Sequence, residues 1–194
     1  MIKAVIFDCF GVLTKDWWKD FCDSVPPGPG LEKAKELNHQ YDSGAIKLED
    51  FMKGVELATG RALQPVEAIV TSPQATKNTR LMDYIRILGE DYKIGMLSNI
   101  GTTWITDSFL NDEEQKLFDA MVFSFQVALT KPNPKIYQIA AQRLRVQPNE
   151  CVFIDDVERY CEGARAVGMQ AIHYRDFEQM KTELDKILSA GTDN

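Results

Sequence analysis

Two histidines and four cysteines are all that this 194-residue chain offers to a zinc ion by way of imidazole or thiolate. His39 and His173 stand far apart, and Cys9, Cys22, Cys151 and Cys161 show neither CxxC nor mixed Cys/His spacing, which argues against a zinc finger or a dithiol redox motif. No apolar stretch nears the roughly 18 residues of a membrane span. The first residues hold one lysine and then a strand pattern, with no signal-peptide apolar region, so the expectation is a cytoplasmic chain with reduced thiols. Basic runs are absent and the net charge is −7, which argues against a general nucleic-acid binder. Internal repeats and low-complexity tracts are missing too, and nothing in the sequence marks an oligomeric state.

What is present fits a globular enzyme. Hydrophobic residues make up 44% and charged residues 26% of the chain. A mass of 22.0 kDa suffices for one domain, or for a core domain with a small insert. An acidic chain that binds a phosphate ester must supply local positive charge from a lysine, a metal or helix N-termini.

Two apolar runs end in carboxylates. Lys3-Ala4-Val5-Ile6-Phe7 reads as a buried strand that stops at Asp8, before a turn containing the breaker Gly11. Cys151-Val152-Phe153-Ile154 stops at Asp155-Asp156. In open α/β sheets ligands bind outside the carboxyl ends of the strands, so three acids are expected at one sheet edge. Such a cluster repels itself unless a cation neutralises it. A lone Asp at such a place often caps the next helix, but two strands ending alike favour a site.

Residues 15 to about 75 read as helical, with helices at Leu31–Leu37, Leu48–Leu57 and Pro65–Val70 and the breaker-rich Pro26-Pro27-Gly28-Pro29-Gly30 before the first. From about residue 78 helix and strand alternate. Helices are expected at Leu81–Leu88, Pro134–Leu144 and Val157–Val167, and one more at the end of the chain. Strands are expected at Lys93–Leu97, Met121–Ser124, Cys151–Ile154 and Gln170–His173. This is the pattern of a parallel sheet covered by helices on both faces, interrupted after its first strand by a helical insert.

Asp8, Ser98, Lys131 and Asp155-Asp156 all fall at or just after strand ends and are therefore expected to face one crevice. The set suits phosphoryl transfer. A carboxylate can attack phosphorus to give an aspartyl-phosphate. A hard divalent cation, Mg²⁺ for preference, would offset the charge on nucleophile and phosphoryl group. The Lys131 ammonium and the Ser98 hydroxyl would hold the phosphoryl oxygens.

The ordered segments Val5-Ile6-Phe7-Asp8-Cys9-Phe10-Gly11-Val12-Leu13, Met96-Leu97-Ser98-Asn99, Leu129-Thr130-Lys131-Pro132-Asn133-Pro134 and Phe153-Ile154-Asp155-Asp156 resemble the four motifs of the haloacid dehalogenase-like (HAD) hydrolase superfamily. The resemblance spans nearly the whole chain and points to the branch with a small helical cap after strand one. It implies a three-layer Rossmann-like core over residues 1–14 and 78–194 and a cap over residues 15–77. It also implies Asp8 as nucleophile and Lys131 as a catalytic and phosphate-binding lysine. Ser98 and Asn99 would lie at the substrate, and Asp8, Asp156, Asp155 and the Phe10 carbonyl at Mg²⁺. The expected substrate is a small phosphorylated metabolite.

Two positions depart from the family pattern. Phe10 stands where phosphatases of the family usually carry an aspartate that protonates the leaving group, a role worth about 10²–10⁴-fold. Tyr160 stands where Asp or Asn usually supports the metal, a role worth about 10–100-fold. They bring in a pseudo-phosphatase that binds without turnover as an alternative. A 2-haloacid dehalogenase would explain an aromatic at position 10, but a metal-free displacement has no use for Asp155-Asp156. Trp17, Trp18 and Phe21 could line a substrate pocket but are expected first to pack the cap against the core, and His173 and Cys9 to be structural. Substrate choice leaves no signal in residues 26–30 or 41–47.

Overall fold

The computed structural model describes residues 1–63 and 77–190. Five parallel strands, β1 (Ala4–Phe7), β2 (Lys93–Ser98), β3 (Ala120–Phe123), β4 (Cys151–Asp155) and β5 (Gln170–His173), lie in the order β3-β2-β1-β4-β5. The chain winds outward from β1 to one side, then returns to wind to the other. β1 is thus central, and Phe7 pairs with Met96 of β2 and Ile154 of β4. The Asp8 N–H donates to the Ile154 carbonyl at 2.9 Å, so the ladder delivers Asp8 beside Asp155.

Side-chain alternation splits the core into two layers. Val5, Phe7, Val152 and Ile154 face the helices Thr79–Leu88 and Phe177–Ser189, through Leu81, Ile85, Met180 and Leu184. Ala4, Ile6, Cys151 and Phe153 face the helices Pro134–Arg143 and Glu158–Ala166, through Ile136, Tyr137, Ala140 and Ala164. Both faces are covered, so the strands read as unbroken apolar runs. This is the α/β, Rossmann-like fold expected from the alternation.

Between β1 and the helix Thr79–Leu88 the chain builds α1 (Trp17–Ser24), α2 (Pro29–Asp42) and α3 (Leu48–Thr59). Pro29 at the first position of α2 costs the helix no hydrogen bond. These helices gather a small core of their own from Ala34, Tyr41, Phe51, Val55 and Leu63, with Tyr41 and Phe51 stacked at 4.8 Å. Asn78 clasps the two ends of the excursion. Its N–H donates to the Leu13 carbonyl at 2.8 Å and its Nδ2 to the Val12 carbonyl at 3.1 Å, while its Oδ1 caps the next helix through Leu81.

The helix expected at Pro65–Val70 lies outside the described residues. α1 was not among the expected helices; Asp16 starts it by accepting from the Lys19 N–H at 3.0 Å. Ser124, expected to end β3, instead opens the single helical turn Ser124–Val127. A π-helical turn at Ile105–Phe109 also had no sequence signal. Among the described residues no helix is long and apolar enough to cross a membrane.

Candidate active site

The carboxyl ends of β1 and β4 deliver Asp8, Asp155 and Asp156, each offering a carboxylate oxygen within 4.8 Å of the others. Lys131, from the loop after β3, enters this cluster fully buried. Its Nζ lies 2.6 Å from Asp155 Oδ2 and 2.9 Å from Asp8 Oδ2. Burial alone would drive the proton off Lys131, but Asp155 and Asp8 outweigh it and hold the ammonium well above its ordinary range. The same burial, with Asp155 and Asp156 nearby, raises Asp8 above the usual carboxylate range against the pull of Lys131. The other Asp8 oxygen accepts from the Cys9 N–H at 2.7 Å, and Asp155 Oδ1 accepts from the Val157 N–H at 2.8 Å.

Asp156 is held differently. Its Oδ1 is buried with no hydrogen-bond partner among the described residues, and burial followed by the Asp155 charge pushes its carboxyl up to about 6. Gly11 makes room for it: a Cβ on Gly11 would stand 2.2 Å from the Asp156 carboxyl, and Gly11 has φ +80°. His173 fixes the backbone there, donating from Nε2 to the Asp156 carbonyl at 2.8 Å. Ser98, at the end of β2, is fully buried with its hydroxyl also unpartnered among the described residues.

Asn99 is engaged with the protein itself. Its Oδ1 accepts from the Lys131 N–H at 2.8 Å and its Nδ2 donates to the Lys131 carbonyl at 3.2 Å, so one side chain clamps the lysine's backbone. The Tyr160 ring sits 5.0 Å from Lys131 Nζ, a cation–π contact that covers the ammonium. Phe10 points into the crevice and stacks on Trp104, ring centres 5.8 Å apart.

Above these groups lies a cavity of about 410 Å³ whose far wall is the inserted helices. That wall presents Asp16, Trp17 and Trp18 from α1, and Asn38, His39 and Asp42 from α2. Trp18 both lines the cavity and stacks on Phe21 at 5.4 Å, so the aromatics serve packing and lining at once. α2 docks on the core at its C-terminal end. A Cβ on Gly101 would lie 2.7 Å from both the Tyr41 ring and the Tyr41 carbonyl, while Ser124 Oγ accepts from the Ile100 N–H at 2.8 Å and bonds the Asp42 carbonyl. His39 Nδ1 meets Thr130 Oγ1 at 3.2 Å. Tyr160, Gly11, Asn38 and Asp42 were not among the expected site residues. Gly11 carried a signal as a breaker directly after a strand-end acid, and Tyr160 as a departure from the family pattern; Asn38 and Asp42 carried none.

The family model for haloacid dehalogenase-like hydrolases matches residues 2–168. Bifunctional epoxide hydrolase 2 of Sus scrofa is 34% identical over 91 residues, which cover 43% of this chain but 16% of that protein, so this chain spans a small part of its length. The phosphorylated carbohydrates phosphatase of Thermotoga maritima is 39% identical over 193 residues, covering 89% of this chain and 84% of that one. A HAD family enzyme of Bacteroides thetaiotaomicron, solved in complex with magnesium and inorganic phosphate, superposes with a TM-score of 0.64. It is 21% identical over 93% of this chain and 99% of that chain, which shows a shared fold.

Proposed function

We propose a function from one established premise: the chain belongs to the haloacid dehalogenase-like hydrolases. Within that family it is a Mg²⁺-dependent phosphatase of a small phosphorylated metabolite, working through an aspartyl-phosphate on Asp8. The observation that carries this reading is the convergence of Asp8, Asp156 and Lys131 on one cavity, with the buried, unpartnered Ser98 hydroxyl at the end of β2, the strand beside β1. The Thermotoga relative, a phosphatase of phosphorylated carbohydrates, supports it.

The residues fit a hard cation. Three carboxylates face a single ammonium, the donors are all oxygen, and the buried Asp156 Oδ1 lacks a partner among the described residues. Asp8, Asp156 and the Phe10 carbonyl would hold the ion, with Asp155 supporting the site through Lys131. When bound, Mg²⁺ supplies positive charge against the nucleophile and the phosphoryl oxygens.

The chain's own groups do the rest. Asp8 Oδ attacks phosphorus as the bond to the leaving oxygen breaks, and water then cleaves the aspartyl-phosphate. Lys131 and the Ser98 O–H bind phosphoryl oxygens. Asn99 keeps Lys131 in place by its backbone. Residues 15–77 act as a cap over the core of residues 1–14 and 78–194, excluding water when closed. The four unpaired thiols suit a reducing cytoplasm.

Phe10 favours a second reading, a binding protein without turnover, because its ring can neither give nor take a proton. Phosphate release from a panel of phosphorylated metabolites, with Mg²⁺ and with chelator, decides between them. The expected result is Mg²⁺-dependent release that Asp8→Asn abolishes. Release no greater than that of the Asp8→Asn control for every compound would establish the binding protein.

A further inference from the structure

With Phe10 packed on Trp104, the proposed reaction lacks a proton carrier on the β1 side of the cavity. We infer that Asp42, on the inserted helix α2, is the general acid and base: its carboxyl protonates the leaving oxygen and its carboxylate then takes a proton from the attacking water. This inference rests on the phosphatase reading above.

Asp42 lines the same cavity as Asp8, Phe10 and Lys131. It is the last residue of α2, at the negative end of the helix dipole, where a neutral carboxyl is favoured over an anion. Asn38, one turn earlier, donates Nδ2–H to Asp42 Oδ2 at 2.9 Å and sets the direction of the carboxyl group. The Asp42 backbone is tied to the loop after β2, because the Ser124 hydroxyl that bonds the Asp42 carbonyl also holds Ile100, two residues after Ser98. Burial pushes the carboxyl up to about 7, opposed by Asn38 and Lys131 and reinforced by Asp16. A group near neutrality can serve in both directions.

The other titratable groups on that wall are less suited. Asp16 is engaged as the cap of α1, accepting from the Lys19 N–H at 3.0 Å; burial raises its carboxyl and that bond opposes the rise. Lys35 pairs with Glu32 at 2.8 Å in solvent, and His39 is exposed and turned to Thr130. Burial pushes the Cys22 thiol up to about 11, too weak an acid for the task.

The two steps balance. As Asp8 Oδ bonds to phosphorus and the ester P–O bond breaks, the leaving oxygen takes the Asp42 proton and departs as an alcohol. Water then bonds to phosphorus as the Asp8 Oδ–P bond breaks, and its proton returns to Asp42. Inorganic phosphate leaves and both carboxyl groups are restored.

The test compares p-nitrophenyl phosphate, whose leaving group needs little protonation, with phenyl phosphate, whose leaving group needs more. With Asp42→Asn, p-nitrophenolate is expected in a burst of about one equivalent per Asp8, followed by steady turnover about 10²–10⁴-fold below wild type. Phenyl phosphate should lose additional rate in the first step, and the descending limb of kcat/KM above about pH 7 should vanish. Equal losses on both esters without a burst, or unchanged turnover, would overturn the assignment. Should Asp42→Asn fold poorly, Asn38→Ala serves: it should shift that descending limb, and an unmoved limb counts against the proposal. Failure of the phosphatase reading looks different, since wild type would then show no Asp8-dependent release from either ester.

Discussion

On the sheet side of the cavity Lys131 and Asp155 meet at 2.6 Å with side chains wholly removed from solvent; on the insertion side Lys35 and Glu32 meet at 2.8 Å with side chains 48% and 69% exposed. The chemistry of the two pairs is the same, and their consequences differ. The surface pair is screened by water and salt and holds α2 only weakly. The buried pair is costly to assemble, persists because each charge has a partner, and keeps a permanent cation at the mouths of β1 and β4. One wall thus carries a buried, paired charge cluster, and the other carries ion pairs open to solvent.

The largest break in this comparison comes from Lys131→Met. It leaves the Asp8 and Asp155 carboxylates buried without their shared cation, and urea unfolding should record a loss of about 3–5 kcal/mol. A loss under 1 kcal/mol would mean that the acids are neutral in the folded protein.

A smaller effect follows from Asp156. Its carboxyl is raised from 3.8 to about 6 in the folded chain, so folding favours the protonated form. That stabilisation is complete below about pH 4 and disappears as pH rises through about 6, on the order of 2–3 kcal/mol before screening is allowed for. In chelator the melting temperature should therefore fall between pH 4 and 7. Added Mg²⁺ should restore it at pH 8 and do little at pH 5, because a protonated carboxyl is a poor ligand. A Mg²⁺ shift that is the same at both pH values would remove Asp156 from the metal site.

The smallest effect belongs to the other wall. Asn38→Ala removes one hydrogen bond to the half-buried Asp42, and should cost about 0.5–1.5 kcal/mol by denaturant titration. A loss as large as that from Lys131→Met would make the two walls alike.

The same division governs what could be read from the sequence. Strands are set by local apolar runs, and topology carries their ends to one edge, so Asp8, Ser98, Lys131 and Asp155-Asp156 could be placed together before any coordinates. The inserted wall depends on how helices dock, which no short window encodes. Residues 41–47 carried no recognisable signal, yet Asp42 reaches the cavity because Tyr41 settles on Gly101 and Ser124 grips the α2 terminus. Asn99 was legible as a polar strand-end residue, whereas its grip on the Lys131 backbone spans 32 positions and depends on tertiary contact. The start of α1 rests on one Asp16 cap in a stretch whose aromatics suggested packing ahead of pocket lining.

The Asn78 clasp has a consequence for how such a molecule can change over time. The chain departs at Leu13 and is back beside it, one 2.8 Å hydrogen bond away, at Asn78. The entropy of closing a loop grows only logarithmically, about 0.6 kcal/mol for each doubling of length. To the sheet, the excursion is a detour whose length hardly registers. The inserted helices can therefore be swapped, shortened or enlarged by splicing at two adjoining residues, while the ends of β1 and β4 keep their register and their charges.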